Sequence, residues 1–404
     1  MAQELTAVKV ADNVYWVGAI DWDIRNFHGY LTSRGTTYNA FLVMADKVTL
    51  IDAVKAPFFD ELMARISSVI DPSKIDYIVS NHSEMDHTGC LPKVVAAVKP
   101  EKVFASQQGL KALGEHFHGE LEVTGVQDGQ VLDLGGDKLS FFETRMCHWP
   151  DSMVSYLHGP ELLFSQDAFG MHMASAERFD DELDAWPMEH ELAKYYANIL
   201  MPLSAPIKKA LTKLTSSGLT FKLVCPDHGP IWRDNFARVL ELYQRWAGAV
   251  RTRKAVVVYD TMWQSTRKMA EAICDGLSAG GAKAVVMPLD TAHRSDVASE
   301  VLEAGALLVG SPTINNQMFP TVADVLCYLR GLKPAGLIGA TFGSYGWSGE
   351  STKLISADLD AMKVEQVSEP MRVKYVPSAE DMKACHELGT MVAERLAQTY
   401  PDQA

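Results

Sequence analysis

The chain has 404 residues and a formal net charge of −14 at pH 7, with no block of lysine or arginine to offset it locally. That balance argues against non-specific binding to nucleic acid or anionic membranes, while leaving room for a small partner carrying a basic patch. The length exceeds the usual span of one hydrophobic core, so two domains are expected.

No apolar run approaches membrane-spanning length, and Met1-Ala2-Gln3-Glu4-Leu5 lacks the basic region and apolar core of a secretory leader, so a cytoplasmic protein with no membrane association is expected. Six cysteines (Cys90, Cys147, Cys225, Cys274, Cys327, Cys385) form no C-x-x-C pair. This excludes the usual signatures of rubredoxin-like iron centres, zinc ribbons and thioredoxin motifs, and all six are expected to be reduced and mostly packed.

From Val8 to about Ser165, short β-type runs recur at Val14–Val17, Tyr38–Val43, Val48–Ile51, Lys102–Ala105 and Leu139–Glu143, interrupted by helical stretches at Phe58–Ile70 and Leu91–Val98. Helices are expected over Glu189–Leu200 and Ile207–Leu214, and a strand over Leu223–Pro226. The pattern changes near Ala247–Lys254. From there, strands at Ala255–Tyr259, Lys283–Met287, Ala306–Gly310 and Gly336–Thr341 alternate with helices such as Lys268–Ala279, which argues for a parallel sheet covered on both faces. The expected division is residues 1–250 and 251–404.

The segment Asn81-His82-Ser83-Glu84-Met85-Asp86-His87 places four candidate metal ligands within six positions, directly after the apolar run Ile75–Ser80. Alternate side chains of an extended segment diverge and a turn redirects the rest, so such a loop can serve two adjacent ions. Three further strand ends carry His148, Asp167 and His228. With His82, Glu84, Asp86 and His87 they make seven side chains, enough for two ions if one carboxylate, Asp167 for preference, bridges both. A lone histidine after a strand is more often structural than a ligand; the order and spacing distinguish this set. His158, His172 and His190 fall outside the pattern and are read as surface or packing residues.

This order resembles the metallo-β-lactamase superfamily, an αββα sandwich that presents such loops along one edge. Glu84 stands where the hydrolytic members, with H-x-H-x-D-H, have a second histidine. The added carboxylate brings a third anion with Asp86 and Asp167, and hard oxygen donors lower the reduction potential of iron.

In the second half, Thr261, Met262, Trp263, Gln264, Ser265 and Thr266 follow the first strand and precede a helix, where hydroxyls and backbone N–H groups can hold a phosphate with the help of the helix dipole. Ser311, Pro312, Thr313, Ile314, Asn315 and Asn316 follow the third strand. Gly343, Ser344, Tyr345, Gly346, Trp347, Ser348 and Gly349 follow the fourth. These loops lie at the carboxyl ends of strands, where doubly wound sheets bind ligands. A Ser/Thr-rich loop is equally an N-cap and the aromatics equally packing residues, but the three loops together resemble flavodoxin, which implies FMN. No G-x-G-x-x-G follows the first strand, which counts against a dinucleotide site.

The two halves together resemble the flavodiiron proteins over nearly the whole chain, most of all the rubredoxin:oxygen oxidoreductases of sulfate-reducing bacteria. The segments Gly18–Trp22, Phe27–Tyr30, Gly35–Ala40, His148–Met153 and Phe342–Glu350 also carry the likeness. The resemblance implies His82, Glu84, His148 and Asp167 on one non-haem iron, and Asp86, His87, His228 and the shared Asp167 on the other, with His87 turned away in some relatives. It implies a histidine and a tyrosine at the open face, for which His28 and either Tyr195 or Tyr196 are the candidates beside a packing reading. It further implies FMN, O2 or NO as substrate, rubredoxin or a similar carrier as donor, and a head-to-tail homodimer or a dimer of such dimers. A dinuclear zinc hydrolase with an accessory flavodoxin-like domain, acting through a metal-bound hydroxide, is the main rival. A sensor using the same cofactors and an electron carrier with an idle metal cluster are the others.

Overall fold

A computed structural model describes residues 5–401. Met1–Glu4, part of the segment on which the absence of a leader was read, lie outside the described residues, as do the last three. The chain divides into two compact units. The first holds the segments through His28, Thr32–Tyr195 and Ala205–Gln244; the second holds Gly29–Leu31, Tyr196–Ser204 and the chain from Arg245 onward.

The first unit is built on two sheets. One runs in the order Val8–Ala11, Val14–Trp16, Phe41–Val43, Thr49–Ile51, Tyr77–Ser80, Lys102–Ser106, Val123–Val126; the other runs Val131–Asp133, Lys138–Glu143, Met153–Leu157, Leu162–Gln166, Leu223–Pro226. Side-chain alternation divides each strand between two faces. Val14, Trp16, Phe41, Val43, Ile51 and Val79 meet Phe141, Leu157, Phe164 and Cys225 in the core between the sheets. Leu42, Leu50, Ile78 and Val103 face the other way, under Leu62, Ile66, Leu91, Val94 and Leu113 of the helices Phe59–Ser67, Leu91–Val98 and Gln107–His116. Local signals set the ends of those helices: Pro92 lies in the first turn of Leu91–Val98, Lys99 closes it in the left-handed region, and the Ser106 hydroxyl accepts from Gly109 N at 3.0 Å.

Two expected elements of this unit differ. The run Tyr38–Val43 is not one strand: Thr36–Tyr38 pairs with Ala19–Asp21, while Phe41–Val43 enters the large sheet. Asn39 causes the break, because its N–H donates to Asp227 O (2.7 Å) and its side-chain amide to Pro226 O (2.7 Å) and Gly229 O (2.9 Å), which draws the chain out of the ladder. The helix expected from Glu189 begins at Ala185, with Pro187 tolerated in its first turn, and ends at Tyr195; Tyr196–Leu200 then winds as a π-helix.

The second unit has one parallel sheet in the order Lys283–Pro288, Thr252–Tyr259, Ala304–Gly310, Ile338–Tyr345, with Glu365–Gln366 and Met371–Lys374 both pairing to the last of these. This is the doubly wound 2-1-3-4-5 order. The helices Ser265–Ala279 and Ala379–Thr399 pack together over Ala255, Val257, Ala306, Leu308, Ile338 and Ala340. Their approach is close enough that a Cβ on Gly276 would collide with His386 O, and one on Gly389 with Ile273 O. The fourth strand runs four residues beyond its expected end at Thr341, so Gly343, Ser344 and Tyr345 are strand residues rather than loop. All six cysteines are free thiols, with only Cys327 exposed and Cys274 half-buried. No described helix is long and apolar enough to cross a membrane.

Candidate metal centre and cofactor cavity

The buried strand Tyr77–Ser80 ends at Asn81, whose N–H and side-chain amide donate to the two oxygens of Asp52 at 2.7 and 2.8 Å. Behind this clamp the chain turns through His82–Glu84 into the one-turn helix Met85–Thr88. The turn projects its four polar side chains toward Asp167, just past the strand Leu162–Gln166, toward His148 in the turn before Met153–Leu157, and toward His228 after Leu223–Pro226. The inner sheet ends therefore gather all seven predicted ligands.

They fall into two groups around Asp167. His148 Nε2 lies 3.0 Å from Asp167 Oδ2 and 3.1 Å from Glu84 Oε2, and His82 Nε2 lies 3.5 and 3.3 Å from the same two oxygens. On the opposite side, His87 Nε2 is 3.2 Å from Asp167 Oδ1 and 3.3 Å from Asp86 Oδ1, while His228 Nε2 is 3.4 Å from Asp167 Oδ1 and 3.2 Å from Asp86 Oδ2. Ligand bonds of about 2.1 Å give donor–donor edges of about 3.0–3.5 Å around a first-row ion. Each group has that spacing, and the two oxygens of Asp167 serve one group each.

Hydrogen bonds on the far side of the rings fix which nitrogen points inward. His228 Nδ1 lies 2.6 Å from Thr37 O and His82 Nδ1 3.3 Å from Asp151 Oδ2, so both rings carry their proton on Nδ1 and leave Nε2 as donor to a cation. Buried polar atoms ordinarily find a partner. Here Asp86 Oδ1, Asp167 Oδ1 and both His87 ring nitrogens find none among the described residues. These unpartnered atoms, with the spacing of the two groups, fit a pair of divalent cations.

The electrostatics agree. Burial disfavours the charged imidazole of His82, yet hydrogen bonds to Asp151 and Glu84 outweigh it and raise its pKa to about 10. Burial works against Glu84 and Asp167 as anions, but the surrounding histidines hold both carboxyls well below their usual range. In both directions the cluster demands positive charge at its centre.

His28, in the left-handed region at φ 55°, sets its Nε2 2.8 Å from Glu84 Oε1, the oxygen not shared with His148. The Tyr195 ring lies 5.1 Å from that of His172 and 6.2 Å from that of His228, whereas Tyr196 packs on Trp246 at 5.2 Å and turns its hydroxyl to Ser204. Of the two candidate tyrosines only Tyr195 is beside the cluster. His158 and His190 are exposed, but His172 is fully buried, 2.9 Å from Thr36 Oγ1 and with its ring 4.8 Å from that of His228. Its place beside the cluster has no signal in the local sequence. Asp227 is likewise buried at the cluster.

In the second unit, a cavity of about 530 Å³ opens at the carboxyl ends of the strands, lined by Met262, Trp263, Ser265, Pro312, Thr313, Asn315, Asn316, Ser344, Tyr345, Gly346, Trp347 and Ser348, together with Tyr375 and Val376. That is a usual size for a cofactor site. Thr261, Gln264, Thr266, Ser311, Ile314, Gly343 and Gly349 were expected there and do not line it. Thr266 Oγ1 turns to Ser344 Oγ (3.0 Å), Ser311 Oγ accepts from Phe319 N (2.8 Å), and Gly343 abuts Ser311 O, so these three support the wall from behind. Thr261 N–H is taken by Asp260 Oδ1 at 2.6 Å, Gln264 sits at φ 66° before the helix, Ile314 pairs with Gln317, and Gly349 lies against Arg372. Tyr375 and Val376 were missed because they follow the short strand Met371–Lys374, with a single buried residue.

A sandwich with a bridged His/carboxylate cluster at its strand ends, joined to a doubly wound unit with an aromatic cavity, defines the class. Residues 36–229 match the model of the ODP family beta lactamase and residues 257–389 that of flavodoxin. The chain is 46% identical to the nitric oxide reductase of Moorella thermoacetica, over 96% of this chain and 99% of that one. It is similar to the solved rubredoxin oxygen:oxidoreductase of Desulfovibrio gigas (43% identity, TM-score 0.95, covering 98% of this chain and 99% of that one) and to the flavodiiron protein of Giardia intestinalis (32% identity, TM-score 0.95, all of both chains). The chain belongs to the flavodiiron protein family.

Proposed function

We propose that this protein reduces O2 to water and NO to N2O at a pair of non-haem irons, using electrons passed through bound FMN from an external donor. The observation that carries the reading is Asp167, whose two oxygens each complete a separate group of His and carboxylate donors. The names of its relatives, a nitric oxide reductase and a rubredoxin oxygen:oxidoreductase, support both substrates. His82, Glu84, His148 and Asp167 would hold one iron; Asp86, His87, His228 and Asp167 the other.

When bound, the iron pair supplies two electrons and reduced FMN two more, matching the four electrons and four protons that convert O2 to two waters; two NO, two electrons and two protons give N2O and one water. Glu84 adds an anion that a zinc hydrolase does not need and that favours oxidation of iron. His28, whose Nε2 lies 2.8 Å from Glu84 Oε1, would donate a proton to the reaction. The Tyr195 hydroxyl, fully buried, keeps its proton and contributes a dipole without a charge.

The FMN phosphate would sit at the N-terminus of the helix Ser265–Ala279, beside Ser265, and the ring between Trp263, Tyr345 and Trp347. Trp263 is 88% exposed and Trp347 90%, a rim that a second copy would cover in a head-to-tail homodimer, bringing one copy's flavin to the other's irons. Residues 1–250 would then carry the metal centre and 251–404 the FMN. Rubredoxin is the donor we infer, and the six free thiols fit a cytoplasmic setting.

The test is to measure iron, zinc and FMN per chain and to follow anaerobic NO and O2 consumption with reduced rubredoxin. Two irons and one FMN with turnover are expected. Zinc in both positions and a colourless protein would overturn the reading in favour of the hydrolase. Loss of the dimer in Trp347→Glu would support the head-to-tail pairing, and an unchanged oligomer would remove it.

A further inference from the structure

Asp227 is 1% exposed, and both of its carboxylate oxygens lack a hydrogen-bond partner among the described residues. Its backbone is pinned from two sides: its N–H donates to Gln166 O at 2.9 Å, and its carbonyl accepts from Asn39 N at 2.7 Å. Asn39 is itself held by Trp16 Nε1, which donates to its Oδ1 at 2.8 Å. This frame leaves the carboxylate little freedom, and it aims Oδ2 at His87 Nδ1, 3.6 Å away.

His82 and His228 each have an acceptor on Nδ1 that leaves Nε2 for a cation, Asp151 and Thr37 O respectively. His87 presents Nε2 to Asp86 and Asp167 in the same way, but its Nδ1 has no hydrogen bond, and the group facing it is Asp227. An imidazole that ligates through Nε2 carries its proton on Nδ1, and the partner of that proton fixes the ring's orientation. We propose that Asp227 is the positioning residue of His87: it accepts the Nδ1 proton, holds Nε2 toward Asp86 and Asp167, and so decides that His87 ligates rather than swings away. The inference rests on the diiron reading above.

The test is anaerobic titration of the FMN-loaded, metal-free protein with ferrous iron against a competing chelator. The parent takes up two irons per chain. Asp227→Ala weakens uptake of one iron about 10- to 100-fold, the range seen when outer partners of ligating histidines are removed. Asp227→Asn, which keeps an oxygen acceptor, restores most of it. In a His87→Ala background, Asp227→Ala adds no further loss, because its target is already gone. FMN content and the thermal unfolding transition report on the fold, and Asp227→Leu, branched at Cγ like aspartate but without an acceptor, replaces the Ala variant should that one unfold. Unchanged affinity in Asp227→Ala or Asp227→Leu overturns the proposal. So does a loss in Asp227→Asn as large as that in Asp227→Ala, which would make Asp227 a direct ligand, or a loss that persists without His87. A parent that takes up no iron overturns the diiron reading as well, a result distinct from a parent with two irons and indifferent variants.

Discussion

His28 and Glu84 meet through the one carboxylate oxygen that faces away from the cluster: His28 Nε2 lies 2.8 Å from Glu84 Oε1, while Oε2 of the same carboxylate lies 3.1 Å from His148 Nε2. The hydrogen bond to Glu84 raises the His28 pKa against the opposing effect of burial. His28 is thereby placed to donate a proton beside a site whose reaction consumes protons. His28→Ala should lower O2 turnover about 100-fold, the lower end of what a positioned proton donor contributes, with iron content unchanged. Oxygen-electrode rates beside iron analysis decide it; loss of iron in parallel with rate would mean that His28 serves Glu84 as a support.

Asp167 and Glu84 should separate by stoichiometry. Asp167→Ala removes a donor from both groups and should cost both irons, because it also leaves His87, His148 and His228 facing Asp86 and Glu84 without their shared counter-charge. Glu84→Ala removes a donor from one group and should leave one iron bound. Metal analysis of the two purified variants, with FMN absorbance as the control, reads the difference.

The protonation of the cluster sets a pH dependence with a definite sign. The folded pKa of His82 is raised from 6.5 to about 10, so its contribution to the stability of the metal-free protein is present below 6.5 and lost as pH rises through about 10. Glu84 and Asp167 are shifted downward, so their contribution is present above the usual carboxylate range and lost on strong acidification. The metal-free protein should therefore melt at falling temperature from pH 7 to 10. Iron displaces these protons, so the loaded protein should show a flatter profile, and iron affinity should rise with pH over the same interval. Scanning calorimetry of both forms across that range tests it.

The metal loops were legible because their information is local. His82, Glu84, Asp86 and His87 share six positions, and His148, Asp167 and His228 each follow a strand that its own residues announce. What was lost depends on distant partners. The break at Asn39 comes from hydrogen bonds to Pro226, Asp227 and Gly229, nearly 190 residues away by the separation of Asn39 and Pro226 (187), and no periodicity near Tyr38 encodes it. His172 is buried against Thr36 and His228, which its own neighbours in sequence do not reveal. Tyr375 escaped notice for the opposite reason: the strand before it buries only Val373 and gives no apolar run. That Tyr195 and not Tyr196 lies beside the cluster depends on contacts with His172 and His228 that the local sequence does not encode.

Gly343 offers a test of the cofactor cavity that leaves the irons alone. It lies in the strand Ile338–Tyr345, and a Cβ there would strike Ser311 O and come within 2.9 Å of Thr352 Cγ2. Ser311 begins the segment that carries Pro312, Thr313, Asn315 and Asn316 into the cavity wall, so displacing its carbonyl displaces the wall. A backbone oxygen cannot rotate aside as a side chain can, and overpacking of this kind costs about 1–3 kcal/mol. If half of that falls on the bound state alone, FMN should bind roughly 2- to 12-fold more weakly in Gly343→Ala. Fluorescence titration of the flavin-free protein with FMN measures the affinity, and iron content should remain that of the parent. An unchanged affinity would mean that the strand end shifts as a unit and that the cavity wall is more compliant than its packing suggests.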